Sequence, residues 1–108
     1  MHASPPGPAD PGKLTNQRVV FLEALSLTLR ERYSDVSCEI SRLTAGLPPT
    51  LRVERQEVAE DVGCDLSVDG WAFVWGFDPR NVIGPVADLR RAAFAVANVL
   101  GIRHHPDH

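Results

Sequence analysis

The chain is short of cysteine and lysine. Its 108 residues include two cysteines and a single lysine, Lys13, and the other ten of the 11 basic residues are arginines, a bias typical of a GC-rich bacterial genome. Two cysteines are too few for the disulfide framework of a small secreted domain. Cys38 and Cys64 are therefore predicted to be small buried hydrophobes in a reducing compartment.

Histidine is missing from the central part of the chain. The four histidines are His2, His104, His105 and His108. A Ser-His-Asp or Cys-His catalytic apparatus therefore has no central base, and a structural zinc site lacks its spaced Cys/His pairs. Weak metal binding by the histidine tail remains an alternative, and no strand is followed by a phosphate-binding loop. We predict no catalytic residues of these kinds, no metal and no cofactor.

A basic excess and a long apolar run are also missing. The net charge is −3, from 14 acidic and 11 basic residues. This balance argues against a nucleic-acid binder that works by general phosphate attraction. No apolar run approaches the roughly 20 residues that span a bilayer, and the first dozen residues do not resemble a secretory signal. The sequence therefore predicts a cytoplasmic protein with neither nucleic acid nor membrane as a partner.

Composition divides the chain into three segments. Residues 1–12 hold four prolines and two glycines without apolar periodicity, and they are predicted to be a disordered tail. Residues 13–102 have the length of one small domain. Residues 103–108 are predicted to be a polar, histidine-rich tail.

Two helices are predicted at the ends of this domain. Apolar residues at three- and four-residue steps predict a helix from Thr15 to about Tyr33. A second helix is predicted to open at Gly84-Pro85, with proline at the first helical position, and to close at Gly101.

Between the helices the apolar residues alternate with polar ones, which predicts strands over 36–41, 51–54, 62–69 and 71–77. The pair Asp69-Gly70 predicts a tight hairpin with a two-residue turn. In that register the facing pairs are Val68 and Trp71, Leu66 and Phe73, Cys64 and Trp75, and Val62 and Phe77. The economical arrangement is an α+β two-layer sandwich, with a four-stranded antiparallel meander sheet and both helices on one face. In size, acidity and layering this pattern resembles bacterial secretion chaperones, without a shared motif.

A carboxylate pair is a candidate site on the open face of the sheet. If Ile40 faces Val53, Glu39 lies directly across from Glu54, in a row that continues to Gly63 and Gly76. Two such acids are able to divide acid and base roles, as in glycoside hydrolysis. The alternative is a solvated, repulsive surface pair screened by Arg52.

Surplus apolar residues form the second candidate site. They lie on the helix faces that are exposed to solvent in a two-layer monomer. Two arginines flank the aromatic residue, and a combination of aromatic residues with arginine is typical of interfaces. The alternative is that the helices pack laterally and bury them. Together with the flanking arginines, the residues of this candidate site are Val20, Ala24, Leu27, Arg90, Arg91 and Phe94.

We therefore expect a small non-catalytic accessory module that forms a homodimer or binds another protein through these faces. Alternatives are a small enzyme or ligand-binding domain that uses Glu39 and Glu54, and a small-molecule pocket lined by Trp75 and Phe77.

Overall fold

The structure, a computed structural model, describes residues 11–41 and 47–101. Helix α1 is followed by five strands and helix α2. The elements are α1 (Pro11–Arg32), β1 (Ser37–Ser41), β2 (Thr50–Arg55), β3 (Val58–Ser67), β4 (Gly70–Trp75), β5 (Val82–Pro85) and α2 (Leu89–Val99). The strands form one antiparallel sheet in the order β1-β2-β3-β4-β5. The predicted α+β fold is confirmed, with one strand more than predicted.

Both helices cover the same face of the sheet. Helix α1 packs on β1, β2 and β3, and α2 packs on β5 and against α1. The buried side chains of the helices and strands form one hydrophobic cluster, as expected for two layers around one core. Its members include Leu22, Leu25, Leu29, Leu51, Val53, Val62, Cys64, Phe73, Ala93, Val96 and Leu100.

Helix α1 begins earlier than the sequence predicts. Its first residue is Pro11, within the segment predicted to be a disordered tail, rather than Thr15. Proline is well tolerated in the first turn of a helix, since the N–H that it lacks has no intrahelical acceptor there. Predictions for residues 1–10 and for 102–108, which include all four histidines, lie outside the described residues.

The β3–β4 hairpin keeps the predicted face but not the predicted pairs. Leu66 pairs with Trp71, Cys64 with Phe73, and Val62 with Trp75, so the register differs from the prediction by two residues. A shift of two residues returns every side chain to the same face, and apolar residues still face apolar residues.

The physical cause of this register lies in the turn. Its central residues are Val68 and Asp69, and the positive φ of 108° belongs to Gly70, which follows them. The Ser67 hydroxyl closes the turn, because it accepts a hydrogen bond from the Asp69 N–H at 3.2 Å and donates one to the Gly70 carbonyl at 3.3 Å. Val68 is therefore fully exposed, and Phe77 lies beyond the end of β4.

The segment Gly84-Pro85 ends a strand instead of opening the second helix. Gly84 pairs with Phe73 and Pro85 with Ala72, in the edge strand β5 that the sequence did not predict. Proline is tolerated on an edge strand because its missing N–H need not join the ladder. Helix α2 begins after Asp88, whose carboxylate accepts a hydrogen bond from the Arg91 N–H at 3.2 Å. Its predicted end is confirmed, since Gly101 follows it at φ 85°.

Candidate functional site

Strand β1 forms one edge of the sheet. It pairs with β2 on one side, and no strand within residues 11–41 and 47–101 pairs with its other side. The outward N–H and C=O groups of an edge strand are able to pair with another strand. The edge at β1 is therefore a candidate site for a contact through the backbone.

A short connection brings α1 back over this edge. The Tyr33 N–H donates to the Leu29 carbonyl at 2.8 Å, which ends the helix, and Val36 is buried four residues after Arg32. The Arg55 guanidinium from β2 donates through Nε to the Asp35 carboxylate at 2.7 Å. These contacts fix the position of β1 beside α1.

A groove of about 470 Å³ runs between α1 and β1 and is open on its outer side. We call it the α1–β1 groove. Its lining consists of four residues from α1 and two from β1, namely Glu23, Ser26, Leu27, Arg30, Cys38 and Ile40. All lie beside the buried stripe of α1 or on the core face of β1, so the groove is an open extension of the hydrophobic core.

The groove is apolar at its centre and charged at its ends. The Leu27 side chain is 52% exposed, and Cys38 and Ile40 are half-buried. Glu23 precedes Leu27 by four residues and Arg30 follows it by three, spacings that place side chains on one helix face. A partner would meet an apolar centre with a negative charge at one end and a positive charge at the other.

Both cysteines are free thiols, and the surroundings of neither one favour the reactive thiolate form. Burial raises the pKa of the Cys38 thiol, against smaller opposing effects of a Ser26 hydrogen bond and the Arg30 charge. Burial raises the pKa of the Cys64 thiol to about 12, with Arg18 opposing. Since the nucleophilic form of cysteine is the thiolate, Cys38 contributes apolar surface to the groove rather than reactivity.

The surplus apolar residues of the two helices lie in different parts of the molecule. On α1, Val20 is 56% exposed and Ala24 is partly buried, and only Leu27 of this stripe lines the groove. On α2, Phe94 is 47% exposed, and Arg90 and Arg91 are exposed. Helix α2 packs on β5, at the edge of the sheet opposite β1, so its three residues are not part of the groove.

The predicted facing arrangement of the two carboxylates is wrong. Glu39 pairs with Arg52, and Glu54 pairs with Ser37, so the two acids are not directly opposite. The Arg52 guanidinium instead lies 3.4 Å from the Glu54 carboxylate and 3.7 Å from that of Asp61. The β1–β2 register is two residues away from the predicted one, and it places an arginine where the prediction placed a second acid.

The glycines that were predicted to continue this row, Gly63 and Gly76, also have other neighbours than predicted. Gly63 pairs with Val74 rather than with Glu54 and Gly76.

The predicted small-molecule pocket is also not formed as expected. Phe77 is 54% exposed and lies beyond β4, so it does not line a pocket between sheet and helices with Trp75. It borders a cavity of only about 40 Å³ where β2 begins, which is too small for a substrate.

Arg18 is a structural residue that sequence reasoning missed. Continuing the β2–β3 register places Pro49 level with Cys64, and a proline has no N–H to donate. The Cys64 carbonyl accepts a hydrogen bond from Arg18 Nε at 3.1 Å, and the guanidinium lies 5.5 Å from the centre of the Trp71 ring. Arg18 thus attaches α1 to the sheet where the ladder ends, and the signal for it is the Pro48-Pro49 pair.

The sequence prediction also missed five of the groove residues, namely Glu23, Ser26, Arg30, Cys38 and Ile40. Ser26 is buried at 7% exposure although serine is polar, and it interrupts the apolar spacing of α1. That interruption, with opposite charges on each side of Leu27, is the sequence signal that marks this helix face.

Comparison with known protein families, curated proteins and solved structures finds no significant match. Neither helix, over the residues described, has a stretch long and apolar enough to cross a membrane. The geometry of the α1–β1 groove is therefore what supports a function.

Proposed function

We propose that the chain is a non-catalytic protein-interaction module that binds an extended polypeptide strand at β1. The observation that supports this function is an edge strand bordered along its length by a half-apolar groove. In strand addition, main-chain hydrogen bonds provide affinity and pockets for alternate side chains provide specificity. The reducing cytoplasm suits the two free cysteines.

The arrangement of the groove matches this mode of binding. Alternate side chains of an added strand point toward the helix layer, where Leu27, Cys38 and Ile40 offer apolar contact. The intervening side chains point to the open face, where Glu39 and Arg52 lie side by side and are exposed. A strand with alternating apolar and polar residues is therefore the preferred ligand.

Synthetic peptides provide a direct test with a defined probe. Ten-residue peptides that alternate valine with serine or threonine are compared by fluorescence anisotropy with peptides of the same composition whose apolar residues are clustered. We expect the alternating peptides to bind more tightly, and Leu27→Asp to weaken their binding by about tenfold or more, since it places a charge in the apolar centre.

The matched control is Val68→Asp, at the fully exposed position in the β3–β4 turn. This variant introduces the same charge outside the groove and is expected to bind the peptides like the wild type. Equal affinity for alternating and clustered peptides, or binding that is unchanged by Leu27→Asp, would contradict the proposed function.

A further inference from the structure

The charges on the exposed face of α1 are self-complementary. Glu23 and Arg30 are seven residues apart, and the midpoint between them lies beside Leu27. If a second copy of α1 lies antiparallel across a two-fold axis at that midpoint, each Glu23 faces the Arg30 of the other copy. One symmetry operation then forms two ion pairs with an apolar contact between the two Leu27 side chains, as an isologous interface requires.

The same axis is compatible with pairing of the edge strands. Residues 33–36 form a short connection between α1 and β1, so the strand runs back beside the helix and a two-fold axis reverses the direction of both elements together. The β1 strands of two copies would then be antiparallel, as all neighbouring strands of this sheet are. An axis normal to the sheet also keeps the helix layers of both copies on one side.

We infer that the strand bound at β1 is β1 of a second copy of this chain, and this inference rests on the proposed function. The two sheets join into one sheet of ten strands, and the α1–β1 groove of each copy is closed by Leu27 of the other. Each β1 strand then pairs with β1 of the other copy, so neither leaves an unpaired edge at which further chains could add.

Charge reversal provides the test, because the two ion pairs form only between copies. Positions 23 and 30 are about 10.5 Å apart along a helix, too far for a direct ion pair within one chain. Glu23→Arg makes both ends of the face positive, and Arg30→Glu makes both ends negative. Each variant alone therefore places like charges opposite each other, whereas a mixture of the two places opposite charges together.

The measurement is the mass in solution by light scattering at low ionic strength, where exposed charges are least screened. We expect the wild type at twice the chain mass of 11.8 kDa, each single variant at 11.8 kDa, and an equimolar mixture of the variants at twice that mass again. Circular dichroism shows whether each variant is folded, and both substituted positions are exposed on α1.

Three outcomes would overturn the inference: a monomeric wild type, single variants that dimerise as the wild type does, or a mixture that stays monomeric although the wild type dimerises. The peptide experiment separates this result from the proposed function. Alternating peptides that bind a monomeric wild type leave the function standing without the second copy, whereas a monomer that binds none of them contradicts both.

Discussion

Gly63 lies where two backbone segments come into direct contact. A Cβ at this position would collide with the carbonyl oxygen of Gly76 and would contact Val74 at 3.7 Å. Gly76 is held there by its N–H, which donates to the Asp61 carbonyl at 2.8 Å. Because the obstacle is backbone rather than a flexible side chain, it cannot move aside cheaply.

We therefore expect Gly63→Ala to lower the free energy of unfolding by about 1–3 kcal/mol, the usual cost of overpacking. Urea denaturation followed by circular dichroism measures it. The control is Gly84→Ala, since a Cβ at Gly84 meets no atom within 4 Å and the backbone there is not left-handed. Equal losses of stability in the two variants would show that the close contact is not the cause.

At the scale of elements, the start of α2 depends on one side chain. Asp88 caps the helix by accepting the hydrogen bond from the Arg91 N–H, and its negative charge lies at the positive end of the helix dipole. The sequence places the helix start at Gly84-Pro85 because proline is a good first residue. The structure uses that proline in β5, and the start is therefore set by Asp88.

We expect Asp88→Ala to lower the free energy of unfolding by about 1 kcal/mol, the typical value of an N-cap. Asp88→Asn is the matched control, because asparagine keeps a side-chain oxygen that accepts the same hydrogen bond. Thermal unfolding of the three proteins measures the difference. A loss in Asp88→Asn as large as that in Asp88→Ala would assign the stability to the charge rather than to the cap.

At the scale of the whole molecule, self-association links stability to protein concentration. If two folded chains bind each other and unfolded chains do not, mass action stabilises the folded state as concentration rises. We expect the Tm of the wild type to increase by a few degrees over roughly a hundredfold rise in concentration. Scanning calorimetry at two concentrations measures this shift.

The variants of the groove show whether this effect belongs to the proposed interface. Leu27→Asp is expected to remove the concentration dependence of the Tm, and Val68→Asp to retain it. Leu27 is half-exposed in the isolated chain, so its replacement has little effect on the core itself. A Tm that is independent of concentration in the wild type would agree with a monomer and contradict the second copy as partner.

Both helices and four of the five strands could be predicted from the sequence because each of them has a local signal. The three- and four-residue spacing of Leu22, Leu25 and Leu29 marks α1, and Gly101 marks the end of α2. Strand β5 has no such signal. It is only four residues long, and it includes a glycine and a proline that are typical of turns.

The candidate site could be predicted only in part. Leu27 is identified by its place on a second apolar stripe, whereas Cys38 and Ile40 join it only because β1 is at the edge of the sheet, beside α1. The prediction that Glu39 faces Glu54 was wrong because the alternation of apolar and polar residues is the same in registers that differ by two residues.

The sequence by itself therefore determined the presence of both helices and of four strands, and the face of the sheet that is buried, since periodicity follows from the geometry of each element alone. Only the tertiary structure decided which residues are neighbours: Arg52 rather than Glu54 opposite Glu39, and Arg18 on the Cys64 carbonyl. The physical reason is that burial selects a face, and a shift of two residues preserves that face. In the β3–β4 hairpin, the hydrogen bonds of the Ser67 hydroxyl then hold one register.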